Sequence, residues 1–325
     1  MHSPAPYGQR RIIAGIKRLL VNFVCAFVPS KKYRELVRYY SLRYRVHLGH
    51  PSLPVKKRLQ PINVAFGFDG RFARQTAVAI ASLLANSKNR CAYNIHCVVD
   101  DSVTREFKEA CTAMVREMAP GSTLVFLEAN RDFDHCPTGN LPIYPVAVYF
   151  RLMLPNLLPE LGEIIYADAD VIFCRDLIEL ADLDLGDHLL AGVRERADGY
   201  INSGLTVMNL DRLRQEKIYE AWTKEARLKD YRYPDQDILN ITCRGRILYL
   251  PVKYNFFHSM YHNFYRRGGI TPRDHHELKY AVVMVHYASC SPKPWLEKRF
   301  YLSKLWWEYA RLTPFYEELL AELKS

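Results

Sequence analysis

EIIYADADVIF, residues 163–173, places two aspartates between two apolar runs. The apolar runs predict strands, and Asp168 and Asp170, two residues apart near a strand end, are predicted to face the same way. They could offer two hard oxygen ligands to one Mg²⁺ or Mn²⁺, while the small Ala169 leaves room for a ligand. The competing interpretation is a pair of solvated loop carboxylates, because short Asp-x-Asp sequences often arise by chance.

Predicted strands and helices alternate before this motif. Strands are predicted at 62–68, 93–99 and 124–127, and helices at 76–84 and 103–118. This alternation predicts an α/β fold with a mainly parallel sheet. Ligands of such sheets bind beyond the carboxyl ends of the strands, which is where Asp69 and the aspartate pair both fall.

The periodicity is less regular after the aspartate pair. The patterns predict strands at 189–193 and 205–210, helices at 212–228 and 235–243, and a helical, aromatic-rich tail over 295–323. An aromatic stripe is more often core than a sugar-binding platform, so we expect the aromatic residues of the tail to pack inside the protein.

A histidine and a lysine downstream could complete a metal and phosphate site. His286 ends the apolar run 280–285, and Lys293 follows it within seven residues. A strand-terminal histidine can be a third metal ligand, and a lysine can contact phosphate oxygens. Taken singly, His286 is more often a structural residue and Pro294-Trp295 a packing corner, but the combination indicates a nucleotide-diphosphate site.

The positive charge of the chain is concentrated at its amino-terminal end. With 325 residues, 49% of them hydrophobic, the chain can bury a sizeable core. Residues 1–60 contain thirteen Lys and Arg and one acid, Glu35, whereas residues 61–325 contain 32 basic and 34 acidic side chains. We therefore expect a basic extension and linker over 1–60 and one large α/β domain with carboxy-terminal helices over 61–325.

The amino-terminal extension is predicted to contain an amphipathic helix over residues 12–27, whose apolar residues recur every three or four positions. Its uninterrupted apolar part is far shorter than the roughly 20 residues that cross a bilayer, so we expect it to lie on an anionic membrane surface. The alternative is that it packs on the large domain with its basic side chains in solvent. No nucleic-acid module accompanies it, and residues 29–32 lack the cleavage site of a signal peptide.

Eight cysteines are scattered along the chain without a C-x-x-C pair or a regular spacing. This usage is typical of reduced, mostly buried thiols in a cytosolic protein. We therefore expect a cytoplasmic protein without a disulfide framework.

Six ordered motifs resemble those of glycosyltransferase family eight, the retaining GT-A enzymes that use a nucleotide sugar. The motifs are VAFGFDGRF at 64–72, YFRL at 149–152, YADAD at 166–170, NSG at 202–204, DQDILN at 235–240 and HYASCSPKPW at 286–295. The resemblance runs from about Ile62 to Leu320 and implies a Rossmann-like GT-A fold with a mixed, mainly parallel sheet. The chain is most similar to bacterial enzymes that add galactose or glucose to a lipooligosaccharide or lipopolysaccharide core.

The resemblance also implies substrates, a location and donor-binding residues. The donor would be a UDP-hexose, the acceptor a glycan or lipid-linked oligosaccharide, and the location the inner face of a bacterial membrane; the oligomeric state stays open. Asp168, Asp170 and His286 would bind Mn²⁺, or Mg²⁺ in its place. The donor-binding residues would be Asp69 at the uracil ring, Phe68, Ala169, Arg151 towards the sugar and phosphate, and Lys293 at the diphosphate.

The same resemblance implies a catalytic group of Asn202, Asp235, Gln236 and Arg151, with Gln236 beneath the anomeric carbon. Retention usually requires a carboxylate nucleophile, and a glutamine is a poor nucleophile. A front-face reaction is therefore implied, in which the departing phosphate accepts the acceptor's proton and Gln236 stabilises positive charge. Asp235 and Asp237 are the carboxylates that could act instead, and capping of a helix is an equal alternative for Asp237.

Three positions depart from the family pattern, and two other protein classes compete with the enzyme. Arg71 stands where the family often has asparagine, the loop after His286 lacks the usual glycine, and Glu195 lies near the usual place of an aspartate that contacts sugar or acceptor. A sugar-nucleotide pyrophosphorylase would need a phosphate loop richer in glycine and basic residues than residues 67–71. A catalytically silent glycan- or nucleotide-sugar-binding protein would lose metal ligands, whereas all three candidates are present.

Overall fold

The computed structural model describes residues 57–87, 90–138, 145–257, 281–288, 293–297 and 302–324. All of them belong to one unit, Ser52–Ser325. The predictions for the basic extension up to residue 56, and for the loop at 289–292, lie outside the described residues. The domain boundary at residue 60 stays a prediction.

Within the described residues, ten strands form two sheets. The strands are β1 Ile62–Phe68, β2 Tyr93–Val99, β3 Thr123–Glu128, β4 Glu163–Ala167, β5 Val171–Phe173, β6 Leu190–Arg194, β7 Ile201–Asn209, β8 Ile247–Leu250, β9 Phe256–Phe257 and β10 Met284–His286. The large sheet has the order β3-β2-β1-β4-β7-β6-β8, and the small sheet has the order β5-β10-β9.

The large sheet is mixed and mainly parallel, as the sequence predicts. Strands β1 to β4 pair in parallel, β7 runs antiparallel to both β4 and β6, and β8 is again parallel to β6. Strand β1 pairs with β2 from Ile62 opposite Tyr93 to Phe68 opposite Val99. Because β1 is buried along most of its length, its sequence is mostly apolar and does not alternate between apolar and polar residues.

Nine helices lie in the described residues, together with two 3₁₀ helices. The helices are α1 Ala73–Asn86, α2 Arg105–Met118, α3 Leu154–Leu157, α4 Ile178–Ala181, α5 Leu210–Gln215, α6 Ile218–Leu228, α7 Pro234–Thr242, α8 Ser303–Ala310 and α9 Tyr316–Lys324; the 3₁₀ helices are Val146–Met153 and Val252–Tyr254. Helix α2 begins after Thr104, whose side chain accepts a hydrogen bond from the N–H of Phe107.

One prediction of local structure was wrong. The helix predicted over 212–228 is two helices, α5 and α6, because Lys217 between them has a left-handed backbone with φ 53°. The Asp168–Asp170 motif lies at a strand end, as predicted: β4 ends at Ala167 and β5 begins at Val171, so the motif forms the turn between them. In that turn Asp168 donates its N–H to the carbonyl of Gly204 at 3.0 Å.

The small sheet brings distant sequence to this turn. In its register His286 of β10 lies opposite Val171 of β5, and the N–H of Tyr287 donates to the carbonyl of Asp170 at 2.9 Å. A residue more than a hundred positions away is therefore fixed beside the aspartate pair by main-chain pairing.

The tryptophans of the tail and Phe315 are buried in the part of the chain that the structure describes, which confirms the prediction that they are core. Trp306 is fully buried, and its ring lies 5.4 Å from that of Trp295 and 5.1 Å from that of Trp307. The indole N–H of Trp307 donates to the carbonyl of Pro294 at 3.0 Å. Helix α8 thus supports the segment that carries Lys293. Among the helices of the described residues, none is long and apolar enough to cross a membrane.

Candidate active site

Asp168, Asp170 and His286 converge at the carboxyl end of β4, with one ligand atom from each lying within 4.8 Å of the others. The Nε2 atom of His286 is 3.1 Å from Oδ1 of Asp170 and 3.4 Å from Oδ2 of Asp168. The His286 side chain is almost fully buried, while the two carboxylates are partly exposed. Two carboxylates and an imidazole form a donor set that suits Mn²⁺ or Mg²⁺.

Hydrogen bonds determine which nitrogen of His286 faces the carboxylates. The N–H of Gly204 can only donate, so the atom of Asn202 that lies 3.0 Å from it is the oxygen Oδ1. That oxygen also accepts from Nδ2 of Asn255 at 2.8 Å, which leaves Oδ1 of Asn255 to accept from Nδ1 of His286 at 3.0 Å. Nδ1 therefore carries hydrogen, and Nε2 is the nitrogen available to a metal ion.

Gly204 leaves the space that the His286 ring needs. A Cβ atom at position 204 would lie 2.0 Å from Cε1 and 2.3 Å from Nδ1 of His286, well inside van der Waals contact. The NSG motif at 202–204 thus serves the metal cluster through the amide of Asn202 and through the absence of a side chain at Gly204.

Arg151 ties the metal cluster to the predicted sugar pocket. Its guanidinium lies 2.6 Å from Oδ1 of Asp168 and 2.8 Å from Oδ2 of Asp235, and it donates to the carbonyl of Ser203 at 2.6 Å. It also lies 4.3 Å from the centre of the Tyr166 ring. Burial acts to lower the pKa of Arg151, but Asp168 and Asp235 outweigh it and raise that pKa above its ordinary value. Arg151 therefore stays charged although it is buried.

Lys293 contacts the metal cluster directly. Its Nζ lies 2.6 Å from Oδ2 of Asp170 and donates to the carbonyl of Tyr287 at 2.8 Å. Burial of Asp170 opposes its ionisation, but Lys293 and His286 outweigh burial and hold the pKa of Asp170 well below its usual range. Asp170 is thus ionised and available as a ligand at any pH near neutrality.

Gln236 has all the hydrogen-bonding atoms of its side chain occupied. Its Oε1 accepts from the N–H of Ser203 at 2.9 Å and lies 3.3 Å from the Ser203 hydroxyl, whose single hydrogen it shares with Asp235. Its Nε2 donates to Oε2 of Glu195 at 3.2 Å and to the hydroxyl of Tyr200 at 3.3 Å. Because the Ser203 N–H only donates and a carboxylate only accepts, the amide has one orientation.

The neighbouring carboxylates of helix α7 are held by other groups. Asp235 faces Arg151 and accepts from the Ser203 hydroxyl at 3.2 Å. Burial raises the pKa of Asp235, and Arg151 offsets only part of this. Asp237 accepts from the Tyr200 hydroxyl and from the N–H of Tyr233 at 3.0 Å. It therefore caps the start of α7, which agrees with the interpretation of Asp237 as a helix cap.

The predicted nucleotide residues lie at the ends of β1 and β4. Asp69 is buried, and Arg71 donates to it through its backbone N–H at 3.1 Å and its Nε at 2.8 Å. Phe68 points into the core against Phe107, so only its main chain faces the sheet edge. Ala169 is buried in the turn between the metal-binding candidates. The structure brings Arg151, Asn202, Asp235 and Gln236 into one network with the metal cluster.

Two residues of this network were missed from the sequence. Asn255 is fully buried and orients His286. It belongs to none of the sequence motifs, and its only local feature is its position directly after the 3₁₀ helix Val252–Tyr254. Tyr200 contacts both Gln236 and Asp237, and no pattern in the sequence singled it out. The amide of Asn240, at the end of the DQDILN motif, bonds both the N–H and the carbonyl of Ile201 and so holds α7 against β7.

Comparison with known proteins agrees with this architecture. The family described as Glycosyl transferase family 8 matches residues 63–299, more than half of the chain. Lipopolysaccharide 1,2-glucosyltransferase of Escherichia coli is 27% identical over 266 residues, covering 74% of this chain and 76% of that protein. Lipopolysaccharide 1,3-galactosyltransferase of Salmonella typhimurium is 26% identical over 259 residues, covering 72% of each protein.

Among solved structures, the galactosyltransferase LgtC in complex with donor and acceptor sugar analogues superimposes with a TM-score of 0.66 at 24% identity, covering 78% of this chain and 96% of that one. This likeness shows the GT-A fold. The matching family and the named relatives together show the kind of enzyme. The chain belongs to glycosyl transferase family 8 and is a hexosyltransferase of the GT-A fold.

Proposed function

We propose that this enzyme transfers galactose or glucose from a UDP-hexose to a cell-surface glycan, with retention of configuration and with Mn²⁺ or Mg²⁺ bound. The observation that carries the proposal is the Asp168, Asp170 and His286 cluster, which lies between the cations Arg151 and Lys293. A site with two carboxylates, an oriented imidazole and two neighbouring cations suits a diphosphate that is bound through a metal ion.

Different residues around the cluster would bind the donor and assist departure of the leaving group. A metal ion held by Asp168, Asp170 and His286 would neutralise charge that accumulates on the departing UDP. Lys293 would turn from Asp170 towards the diphosphate, and Arg151 would keep its positive charge beside the sugar and phosphate. The nucleoside end would lie at Asp69, with the main chain of Phe68 and the small Ala169 leaving room for it.

The geometry of Gln236 favours a front-face reaction. The N–H of Ser203 donates to Oε1 of Gln236 at 2.9 Å, so attack by this oxygen on the anomeric carbon would disturb the hydrogen bond that orients the amide. Asp235 and Asp237 are also engaged, by Arg151 and by Tyr200. Gln236 therefore acts best as a fixed dipole that stabilises positive charge on the sugar, while the departing phosphate accepts the proton of the acceptor hydroxyl.

The acceptor is proposed from the named relatives. Both the E. coli and the S. typhimurium relatives act on lipopolysaccharide, one as a glucosyltransferase and one as a galactosyltransferase. We infer a lipopolysaccharide or lipooligosaccharide core as the acceptor of this enzyme. The choice between glucose and galactose rests on the donor-sugar pocket around Asn202, Asp235 and Gln236.

The proposal predicts slow, metal-dependent hydrolysis of one UDP-hexose in the absence of acceptor. Purified enzyme is incubated with a panel of UDP-sugars, and UDP release is measured with Mn²⁺, with Mg²⁺ and with EDTA. We expect release from UDP-glucose or UDP-galactose only when a metal ion is present. Asp168→Asn should lower the rate by at least about 100-fold, because it removes a ligand of the ion that neutralises the leaving group.

The matched control is Asp134→Asn, which changes an exposed carboxylate outside the cluster and should leave UDP release unchanged. Turnover that persists in EDTA would exclude metal dependence. If no UDP-hexose in the panel released UDP, a UDP-hexose would be excluded as the donor.

We further propose that residues 1–58 hold the enzyme at the inner face of a bacterial membrane. The support is the thirteen basic residues in 1–60 and the amphipathic pattern of residues 12–27. The full chain should co-sediment with vesicles rich in anionic lipid and lose this binding when residues 1–58 are deleted or when salt is raised. Unchanged co-sedimentation after the deletion would show that the extension is not the tether.

A further inference from the structure

Glu195 lies at the turn that joins β6 to β7 and contacts two residues of the predicted sugar pocket. Its Oε2 accepts from Nε2 of Gln236 at 3.2 Å and from Nδ2 of Asn202 at 3.3 Å. The turn is held by the N–H groups of Glu195 and Arg196, which both donate to the carbonyl of Tyr200, at 2.7 Å and 3.1 Å. Glu195 is therefore a half-buried carboxylate on a fixed backbone.

A carboxylate at this place orders both amides. Because it only accepts hydrogen bonds, it draws the amino groups of Gln236 and Asn202 towards itself and directs their carbonyl oxygens away. Those oxygens meet backbone N–H groups: Oε1 of Gln236 accepts from Ser203, and Oδ1 of Asn202 accepts from Gly204. The Asn202 amide continues through Asn255 to the metal-binding candidate His286.

The dependence of the two amides on Glu195 differs. Asn202 is oriented by Gly204 and Asn255 as well, so it keeps two partners if Glu195 is removed. Gln236 would keep Tyr200 as its acceptor but leave one N–H of a nearly buried amide without a partner. A nearly buried donor without a partner is costly, so Gln236 would rotate or admit water.

We propose that Glu195 is a positioning residue for the reaction, which fixes the amide of Gln236 in the orientation that the sugar meets. Its carboxylate acts through its acceptor oxygen and takes no part as nucleophile or proton carrier. This role rests on the proposed function of the Gln236 pocket.

The first test compares two substitutions of Glu195. Glu195→Ala removes the acceptor and should lower kcat for UDP-hexose hydrolysis at least about tenfold, because small misplacements at a reacting centre are costly. The KM for the donor and the affinity for Mn²⁺ should change by less than about threefold, since the loss is confined to the transition state. Glu195→Gln keeps a carbonyl oxygen within reach and should retain most of the activity. Glu220→Ala, at an exposed glutamate of α6, is the control.

Three kinetic outcomes would overturn the proposal. Wild-type kcat in Glu195→Ala would show that Gln236 needs no such partner. A loss in Glu195→Gln as large as in Glu195→Ala would show that the charge itself is required, as for a nucleophile. A raised KM at unchanged kcat in Glu195→Ala would show that Glu195 binds the donor.

A second readout does not depend on turnover. In ¹⁵N-labelled enzyme, the side-chain amide signal of Gln236, identified by its loss in Gln236→Ala, should show slow hydrogen exchange that Glu195→Ala removes and Glu195→Gln keeps. Equal exchange in all three proteins would also overturn the proposal. If the wild type released no UDP but this exchange pattern held, the proposed function would fail while the contact between Glu195 and Gln236 stood.

Discussion

At the scale of single residues, the site depends on backbone groups that determine the orientation of side chains. The N–H of Ser203 fixes the amide of Gln236, and the N–H of Gly204 fixes Asn202, then Asn255 and finally the imidazole of His286. A backbone N–H cannot exchange its role as a donor, so each network has one arrangement. Three neighbouring residues of β7 thus set the geometry of both the metal cluster and the sugar pocket.

Gly204→Ala should disrupt the metal cluster. The added Cβ would lie 2.0 Å from Cε1 of His286, and the backbone on one side and the buried ring on the other leave little freedom to move. We expect Mn²⁺ affinity, measured by isothermal titration, to fall at least about tenfold, as for the loss of an orienting partner of a metal ligand.

Gly121→Ala is the matched control, because a Cβ there meets only the Cβ of Ala92 at an ordinary 3.6 Å. It should leave Mn²⁺ affinity unchanged. Wild-type affinity in Gly204→Ala would mean that His286 is not a ligand.

At the scale of elements, the site is assembled by two sheets and supported by the carboxy-terminal helices. The large sheet supplies Asp69, Asp168 and Asn202 at strand ends, and the small sheet adds His286 through the pairing of β10 with β5. Helix α8 contributes no predicted ligand, but Trp306 packs under Trp295 and so supports the segment of Lys293. The tail therefore acts on the site through packing.

Trp306→Ala should destabilise the enzyme by about 3–5 kcal/mol, because it removes a fully buried indole between two other tryptophans. Urea unfolding followed by circular dichroism measures this change. The affinity for UDP should fall as well, because the Lys293 segment loses its support. Leu296→Ala, which changes a residue that is 60% exposed beside Trp295, should alter stability by less than about 0.5 kcal/mol. Equal stability of the two variants would contradict the packing role of α8.

At the scale of the whole molecule, metal binding and folding are linked. The metal candidates come from positions 168, 170 and 286, so the site exists only in the folded chain. An ion that binds the native state alone raises the free energy of unfolding by an amount set by its concentration and affinity.

Mn²⁺ should therefore stabilise the whole enzyme. At a concentration about 100 times its Kd, the free energy of unfolding should rise by about 2.7 kcal/mol, which thermal or urea unfolding measures directly. Asp170→Asn should abolish the increase, whereas Asp134→Asn should keep it, because Asp134 is exposed and lies outside the cluster. An equal increase in Asp170→Asn would place the ion elsewhere.

The sequence by itself determined the alternating strands and helices of the first half of the domain and the residues expected at the site. The bounds predicted for β1 and β2 agree with the structure to the residue. Strand β1 is buried along most of its length and is mostly apolar, whereas in β2 the half-buried Asn94 and His96 alternate with buried residues. The motifs identified Asp168, Asp170, His286 and Lys293 as candidates, and these residues lie together at the edge of the sheet. The spacing of apolar residues could not show the break at Lys217. That spacing continues from one helix into the next, whereas the break comes from the left-handed backbone of Lys217.

Only the tertiary structure decided how these residues are held. Asn255 and Tyr200 enter the site because the folded chain carries them there, and neither belongs to a pattern with a chemical meaning in sequence. The aspartate pair forms the turn between two strands of different sheets, because pairing with β7 ends at Ala167 and pairing with β10 begins at Val171. Periodicity records which side chains are buried, whereas the direction of a hydrogen bond depends on partners that only folding brings together.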